Sequence, residues 1–216
     1  ALKAGVKPNE IVFSGVGKTS EEISYAINKK ILLINAESKS EIIEIERIAR
    51  SKKRAVSIGI RLNPNTDAKT LKQISTGKKE NKFGVNEKIF IELVNYSRIS
   101  KYIDLKCLSV HIGSQILDYK PYEKMLKVVG NIIKKCNYIF EYVDLGGGMG
   151  ISYEDKNKKL NYKKYSFAIK NFLKNNKCKI IFEPGRSIVG NIGSLVSKVI
   201  YIKENEKKDF IILDAA

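Results

Sequence analysis

Short apolar runs rich in Ile and Val alternate with longer amphipathic stretches along most of this chain. That alternation restricts the fold more than any other feature. Ile11–Gly15 reads as a first strand, and Thr19 then caps a helix, with Glu22 three residues on to complete a capping box. Ile31–Ala36 is the second strand. Ser38 and Glu41 predict a second capping box, and Ile42, Ile45, Ile48 and Ala49 form the helical stripe behind it. Val56–Leu62 is the third strand. A helix over Glu87–Ser97 leads to a fourth, Cys107–Ile112; Pro121 opens the next helix, and Tyr138–Leu145 is the fifth. A helix over Lys163–Asn175 precedes the sixth strand, Lys179–Glu183. Strands this uniformly apolar, separated by helices, predict a parallel sheet covered on both faces.

An open doubly wound sheet and a (β/α)₈ barrel both satisfy that pattern. Polar residues and glycines recur at the C-terminal ends of the strands: Gly15, Asn63, His111 to Ser114, Gly146 to Gly148 and Glu183 to Arg186. In a TIM-type barrel that rim carries the site, supplied by several strands together. Six of the eight units that close such a barrel are legible, so residues 1–193 are expected to form an incomplete barrel, part of a longer chain. After Gly193 the pattern changes. Ser194–Lys203 and Asp209–Leu213 predict two antiparallel strands across the polar turn Glu204–Lys208, the start of a C-terminal all-β domain over 194–216. The stretch Asn63–Gly84 is a long loop of the kind usually tied to function.

Composition excludes several classes. With 43% hydrophobic residues in 216, the chain has ample material for a core. No run approaches the roughly 18 apolar residues of a membrane-spanning helix. No apolar signal core opens the chain, so a cytoplasmic location is expected. The formal charge of +17 invites a nucleic-acid reading, yet all but six of the 40 basic residues are Lys. Base-edge and bidentate phosphate recognition favour Arg, and three of the six (Arg47, Arg50 and Arg54) fall on one predicted helix. The Lys excess travels evenly with Ile and Asn, all encodable by A/T-rich codons. It reads as compositional drift on a solvated surface, with no specific nucleic-acid partner. Cys107, Cys136 and Cys178 are distant and odd in number, which fits buried thiols. One histidine excludes a His-rich metal site, and no metal is expected.

The motifs differ in what they carry. Ser14-Gly15-Val16-Gly17-Lys18-Thr19 resembles a phosphate-binding loop, but the glycine that pattern requires five residues before Gly17 is Val12, inside the strand. A tight turn with a helix cap is the better reading. Gly146-Gly147-Gly148 follows a strand; it is either a flexible turn or a cradle whose N–H groups can approach an anion. His111, followed by Ile112-Gly113-Ser114-Gln115, is either a satisfied structural histidine or part of a site. Glu183-Pro184-Gly185-Arg186 sets a carboxylate at the end of an apolar strand, which is costly unless it is paired or used; a local Glu–Arg ion pair is the alternative. Together these groups suit a planar, phosphorylated heteroaromatic cofactor. Pyridoxal phosphate meets that description, with the carboxylate keeping a pyridine nitrogen protonated.

On these stretches, together with Arg61-Leu62-Asn63-Pro64-Asn65 and Lys72–Gly84, the chain resembles the fold-type III pyridoxal-phosphate decarboxylases. The Lys79–Gly84 segment and the Gln after His111–Ser114 resemble the diaminopimelate branch. The resemblance implies the alanine racemase fold. It implies decarboxylation of meso-2,6-diaminopimelate to L-lysine and CO₂, in a homodimer with shared active sites. By the same resemblance His111 would stack on the cofactor ring. Ser114, Gly146, Gly147, Gly148 and the backbone at Gly185 and Arg186 would hold the phosphate, and Pro184 belongs to the same motif. Glu183 would pair with the ring nitrogen, and Arg186 would also contact substrate; Arg61 and Lys82 would have supporting roles. The family's Schiff-base lysine lies upstream of these residues, and its partner-subunit Cys lies in the C-terminal domain. Neither Lys18 nor Cys107 matches them, so this stretch alone is expected to be inactive. The alternatives are a decarboxylase of ornithine, arginine or carboxynorspermidine, or a non-catalytic cofactor-binding relative. An alanine racemase, whose family sets Arg against the ring nitrogen, fits Glu183 poorly.

Overall fold

A computed structural model describes residues 1–68, 70, 76–77, 82–153 and 159–215. Strands and helices alternate through β1 (Val12–Phe13), α1 (Ser20–Lys29), β2 (Leu33–Ala36), α2 (Lys39–Ser51), β3 (Val56–Leu62), α3 (Glu87–Ile99) and β4 (Ile103–Val110). They continue through α4 (Lys120–Cys136), β5 (Tyr142–Asp144), α5 (Tyr162–Asn175), β6 (Lys179–Ile181) and the one-turn α6 (Arg186–Val189). The six strands pair in parallel in chain order, β1 to β6, in a sheet curled into part of a (β/α) barrel. An open doubly wound sheet is thereby excluded, since its strand order reverses at a switch point. Every C-terminal strand end lies on one rim.

The helices cover the outer face through the stripes read from the sequence. Ile42, Ile45, Ile48 and Ala49 of α2 are buried, as are Met125, Leu126, Val129 and Ile132 of α4. The capping box on α1 is complete: Thr19 Oγ1 accepts from Glu22 N–H, and Glu22 accepts from Thr19 N–H. The one on α2 is half formed. Ser38 Oγ accepts from Glu41 N–H, but the Glu41 carboxylate accepts from Glu37 N–H at 2.7 Å and pairs with Lys18. A buried ammonium has taken the group that the box would use.

Several boundaries differ from the sequence expectation. Helix α2 stops at Ser51, so Arg54 lies outside it. Strand β4 begins at Ile103, because Lys106 is the extra residue of a bulge opposite Ile58 and Gly59 and interrupts the apolar run without ending the strand. Strand β5 covers only Tyr142–Asp144; the preceding Tyr138 and Phe140 pack on each other and on the core instead of pairing. Helix α6 was not read from the sequence. Beyond it, β7 (Val199–Lys203) and β8 (Phe210–Leu213) pair antiparallel in a separate sheet, as expected, and every residue of both is exposed. Cys107 and Cys136 are buried free thiols, whereas Cys178 is half-buried. Among the described residues, no helix is long and apolar enough to cross a membrane.

Candidate active site

The rim is a polar cluster built from the ends of all six strands of the sheet. Lys18, in the turn after β1, points inward: its Nζ donates to Gly15 O at 2.5 Å, Asn35 O at 2.6 Å and Glu41 Oε1 at 2.7 Å, and its side chain is 1% exposed. The ammonium is consumed in joining that turn to β2 and α2. This is the behaviour of a structural turn, in agreement with the glycine spacing.

His111 follows the last residue of β4. Its Nδ1 accepts from Gly147 N–H at 3.2 Å, which leaves Nε2 as the protonated nitrogen of a neutral ring. Burial and the Arg61 guanidinium push its pKa down to about 4, against an opposing pull from Glu183, so the imidazole is uncharged at neutral pH. Arg61 is anchored to Glu37 at 2.9 Å and lies over the Phe83 ring. The segment after His111 is braced by the Asn63–Gly84 loop. Thr76 Oγ1 donates to His111 O and Thr70 Oγ1 to Ser114 O. Residues 69, 71–75 and 78–81 of that loop, within the stretch that carried part of the resemblance, lie outside the described residues.

The three glycines form a tight turn rather than an open cradle. Gly146 N–H donates to Asp144 Oδ1 and Gly147 N–H to His111 Nδ1. Gly146 and Gly148 have positive φ, and a Cβ on Gly147 or Gly148 would fall 2.1 Å from a backbone oxygen, that of Glu183 or Gly113 respectively. Only glycine fits the close approach of these three chain segments.

Glu183 lies two residues beyond β6, its N–H donated to Gly146 O at 2.9 Å. It was expected to be buried, with a local ion pair to Arg186 as the alternative to a role at the site. It is instead exposed, because β6 is the outermost strand of the sheet, and Oε1 accepts from Ser14 Oγ at 2.8 Å. Arg186 turns away from it: Nη1 donates to Gln115 Oε1 at 3.3 Å, and the guanidinium lies over Tyr153. Pro184 and Gly185 are exposed, and Gly185 caps α6.

The buried carboxylate of the rim is Asp144, with no exposure at all. It accepts from Asn35 Nδ2 at 2.8 Å, Ser109 Oγ at 3.3 Å and Gly146 N–H at 2.9 Å. Burial and the neighbouring Glu183 carboxylate push its pKa up to about 7 despite those donors. The sequence reading passed over Asp144, Asn35, Ser109 and Ser14 as site residues. A single polar residue inside an apolar run (Asn35 in Leu33–Ala36, Asp144 before Leu145) was the available signal. Gln115 was missed as well. It has positive φ, its amide brackets the Ile151 backbone, and it holds Arg186.

A family profile described as "Pyridoxal-dependent decarboxylase, pyridoxal binding domain" matches residues 1–190. The chain belongs to this family. Among curated pyridoxal-dependent relatives, diaminopimelate decarboxylase of Helicobacter pylori (strain J99) is 44% identical over 218 residues, covering all of this chain and 54% of the relative. That of Aquifex aeolicus is 39% identical over 219 residues, covering all of this chain and 52% of the relative. The crystal structure of the Helicobacter pylori enzyme complexed with L-lysine matches with a TM-score of 0.88 at 43% identity, over 99% of this chain and 54% of that one. The chain thus spans about half the length of the relatives it matches. The sheet is part of the TIM barrel of the alanine racemase fold, and the family's cofactor is pyridoxal phosphate.

Proposed function

We propose that this chain is the cofactor-binding portion of a cytoplasmic, homodimeric decarboxylase that converts meso-diaminopimelate to L-lysine and CO₂. Residues 1–193 are the barrel portion and 194–216 the start of a β domain, a division supported by the separate sheet of β7 and β8. Relatives named diaminopimelate decarboxylase support the substrate. Free thiols are compatible with a reducing compartment, and the dimer rests on the family resemblance.

The observation that carries the reading is a neutral, locked imidazole beside a carboxylate on one barrel rim. The donor set fits pyridoxal phosphate. His111, uncharged and pinned through Nδ1 by Gly147, offers a flat face to the ring without repelling a pyridinium. Glu183 would hold the proton on the ring nitrogen. Ser114, Gly148 and the backbone N–H groups of Gly185 and Arg186 would take the phosphate, beside the turn that Gly146 and Gly147 lock onto Asp144 and His111, and the Arg186 guanidinium would also meet a substrate carboxylate. The bound cofactor supplies an electron sink for the pair left when CO₂ departs. The residues here orient it, keep its ring nitrogen charged and exclude water from its face. The test is CO₂ release by the intact protein from meso-diaminopimelate, ornithine, arginine and carboxynorspermidine, each with pyridoxal phosphate. A clear preference for meso-diaminopimelate is expected; preference for another substrate would reassign it, and no release from any would refute the activity.

A further inference from the structure

The carboxylate of Glu183 is held by a chain of side chains that crosses the barrel. Ser14 Oγ donates to Glu183 Oε1 at 2.8 Å. Ser14 Oγ in turn accepts from Asn35 Nδ2 at 3.1 Å, and the same nitrogen reaches Asp144 Oδ2 at 2.8 Å. A serine hydroxyl has one proton to give. With an amide N–H on its lone pair, that proton is turned toward Glu183, which must then act as an acceptor. Ser14 thus fixes one oxygen of Glu183, and the Asp144 carboxyl lies within hydrogen-bond reach of the same carboxylate.

Asn35 is an expensive residue to place here. It is 1% exposed in the middle of an apolar strand, and its Oδ1 has no hydrogen-bond partner among the described residues. A buried, half-satisfied amide costs free energy that an apolar residue of the same size would not. The fold also makes room for it. Gly59 lies beside Asn35 on β3, where a Cβ would stand 2.0 Å from Oδ1. Lys18 holds the Asn35 carbonyl and the Gly15 carbonyl, fixing the backbone around both ends of the link.

We infer that Asn35 and Ser14 are positioning residues that keep Glu183 an aimed, ionised acceptor for the ring nitrogen of the cofactor and couple its charge to Asp144. The inference rests on the cofactor reading above. The raised pKa of Asp144 agrees with it, since burial and a carboxylate beside it both disfavour its charged form. The other groups around the pair are the Cys107 thiol, pushed well up by burial, the neutral His111 and the Arg61 guanidinium that faces His111.

Infrared difference titration of the cofactor-free intact protein reads the pair directly, because carboxyl bands are separate from those of thiols and imidazoles. A carboxyl titrating near pH 7 is expected in the parent and absent in Asp144→Asn. Removing a donor to an ionised carboxylate raises its pKa, so Asn35→Ala, which takes the Nδ2 donor from Asp144, should move the titration up by about one pH unit. Gly59→Ala, which touches neither carboxylate, should reproduce Asn35→Ala. Pyridoxal phosphate titrated into the same proteins should bind about tenfold more weakly to Ser14→Ala, with affinity restored in Ser14→Thr. An unmoved infrared titration in both Asn35→Ala and Gly59→Ala overturns the inference, and unchanged cofactor affinity in Ser14→Ala, a change at an exposed residue that leaves the fold intact, does so too. A moved titration with unchanged cofactor affinity overturns the link to the ring nitrogen. Failure of the parent to bind the cofactor refutes the functional reading instead, while the infrared result still decides whether Asn35 governs the Asp144 carboxyl.

Discussion

Of the carboxylates withdrawn from water in this barrel, two at opposite ends are pushed in opposite directions by their surroundings. Glu46 on α2 is 8% exposed and lies beside the start of β4. Burial alone would raise its pKa, but hydroxyls of Ser100 and Tyr96 donate to it and Arg50 stands 3.8 Å away, so the carboxyl sits below its usual value. Asp144 at the C-terminal rim also accepts three hydrogen bonds, yet a second carboxylate faces it and its pKa rises to about 7. Donors and a cation make the first a staple between α2, α3 and β4. The second is a charge left partly unresolved at the end where barrels carry their chemistry. Burial is deeper at Asp144, and the sign of the nearest charge widens the difference.

The sharpest way to break this contrast is to neutralise the rim. Glu183→Gln keeps the shape and the Ser14 contact but cannot keep a ring nitrogen protonated. In the intact enzyme kcat should fall by about 10³-fold, with the fold intact by circular dichroism. Near-parental turnover would remove Glu183 from that role. Next comes the pH dependence of stability. Asp144 binds its proton more tightly in the fold than in the unfolded chain. Its contribution is full below about 3.8 and is lost as pH rises through about 7, by roughly 4 kcal/mol. His111 runs the other way: its folded pKa is depressed to about 4 from 6.5, so its contribution is full above 6.5 and is lost as pH falls through 4. Between those limits the two slopes oppose each other. Urea unfolding across this range should show a rise of stability with pH in Asp144→Asn, where the His111 slope stands alone. A profile parallel to that of the parent would show that Asp144 does not titrate there.

The contrast also explains what could be read from the amino-acid sequence. Periodicity located the barrel strands and five main helices, because each had to bury one face. The glycine turn and the segments around His111 and Glu183 stood out through residues that are costly without a purpose. What escaped was the wiring. Asn35, Ser109 and Asp144 meet only because parallel pairing aligns Asn35 with Gly59 and Ser109 with Asp144, and no local pattern encodes that register. The same limit made Glu183 look buried and left an ion pair with Arg186 open as the alternative. Their adjacency in sequence was visible, whereas the outermost place of β6 and the claim of Gln115 on Arg186 were not.

At the staple, the expected losses concern stability alone. Tyr96→Phe removes a hydroxyl from Glu46 while keeping the ring, leaving a buried carboxylate short of one donor. Urea unfolding should give a loss of about 1–2 kcal/mol, with kcat and cofactor affinity unchanged. A change in kcat without a loss of stability would erase the division between the two ends.

Arg50→Ala tests the part of the staple that water can reach. The guanidinium is 67% exposed, one helical turn from Glu46, and lies over the Tyr102 ring. An exposed pair at this distance is screened by solvent and offset by the entropy of holding a long side chain. The ring contact adds little at such a site. The loss should therefore be only about 0.5 kcal/mol, and it should shrink in high salt. The Tyr96→Phe loss, which comes from a hydrogen bond inside the protein, should not. If the Arg50 loss matched that of Tyr96 and resisted salt, the cation rather than the hydroxyls would be what keeps Glu46 ionised, and the two ends of the barrel would differ by a single charge.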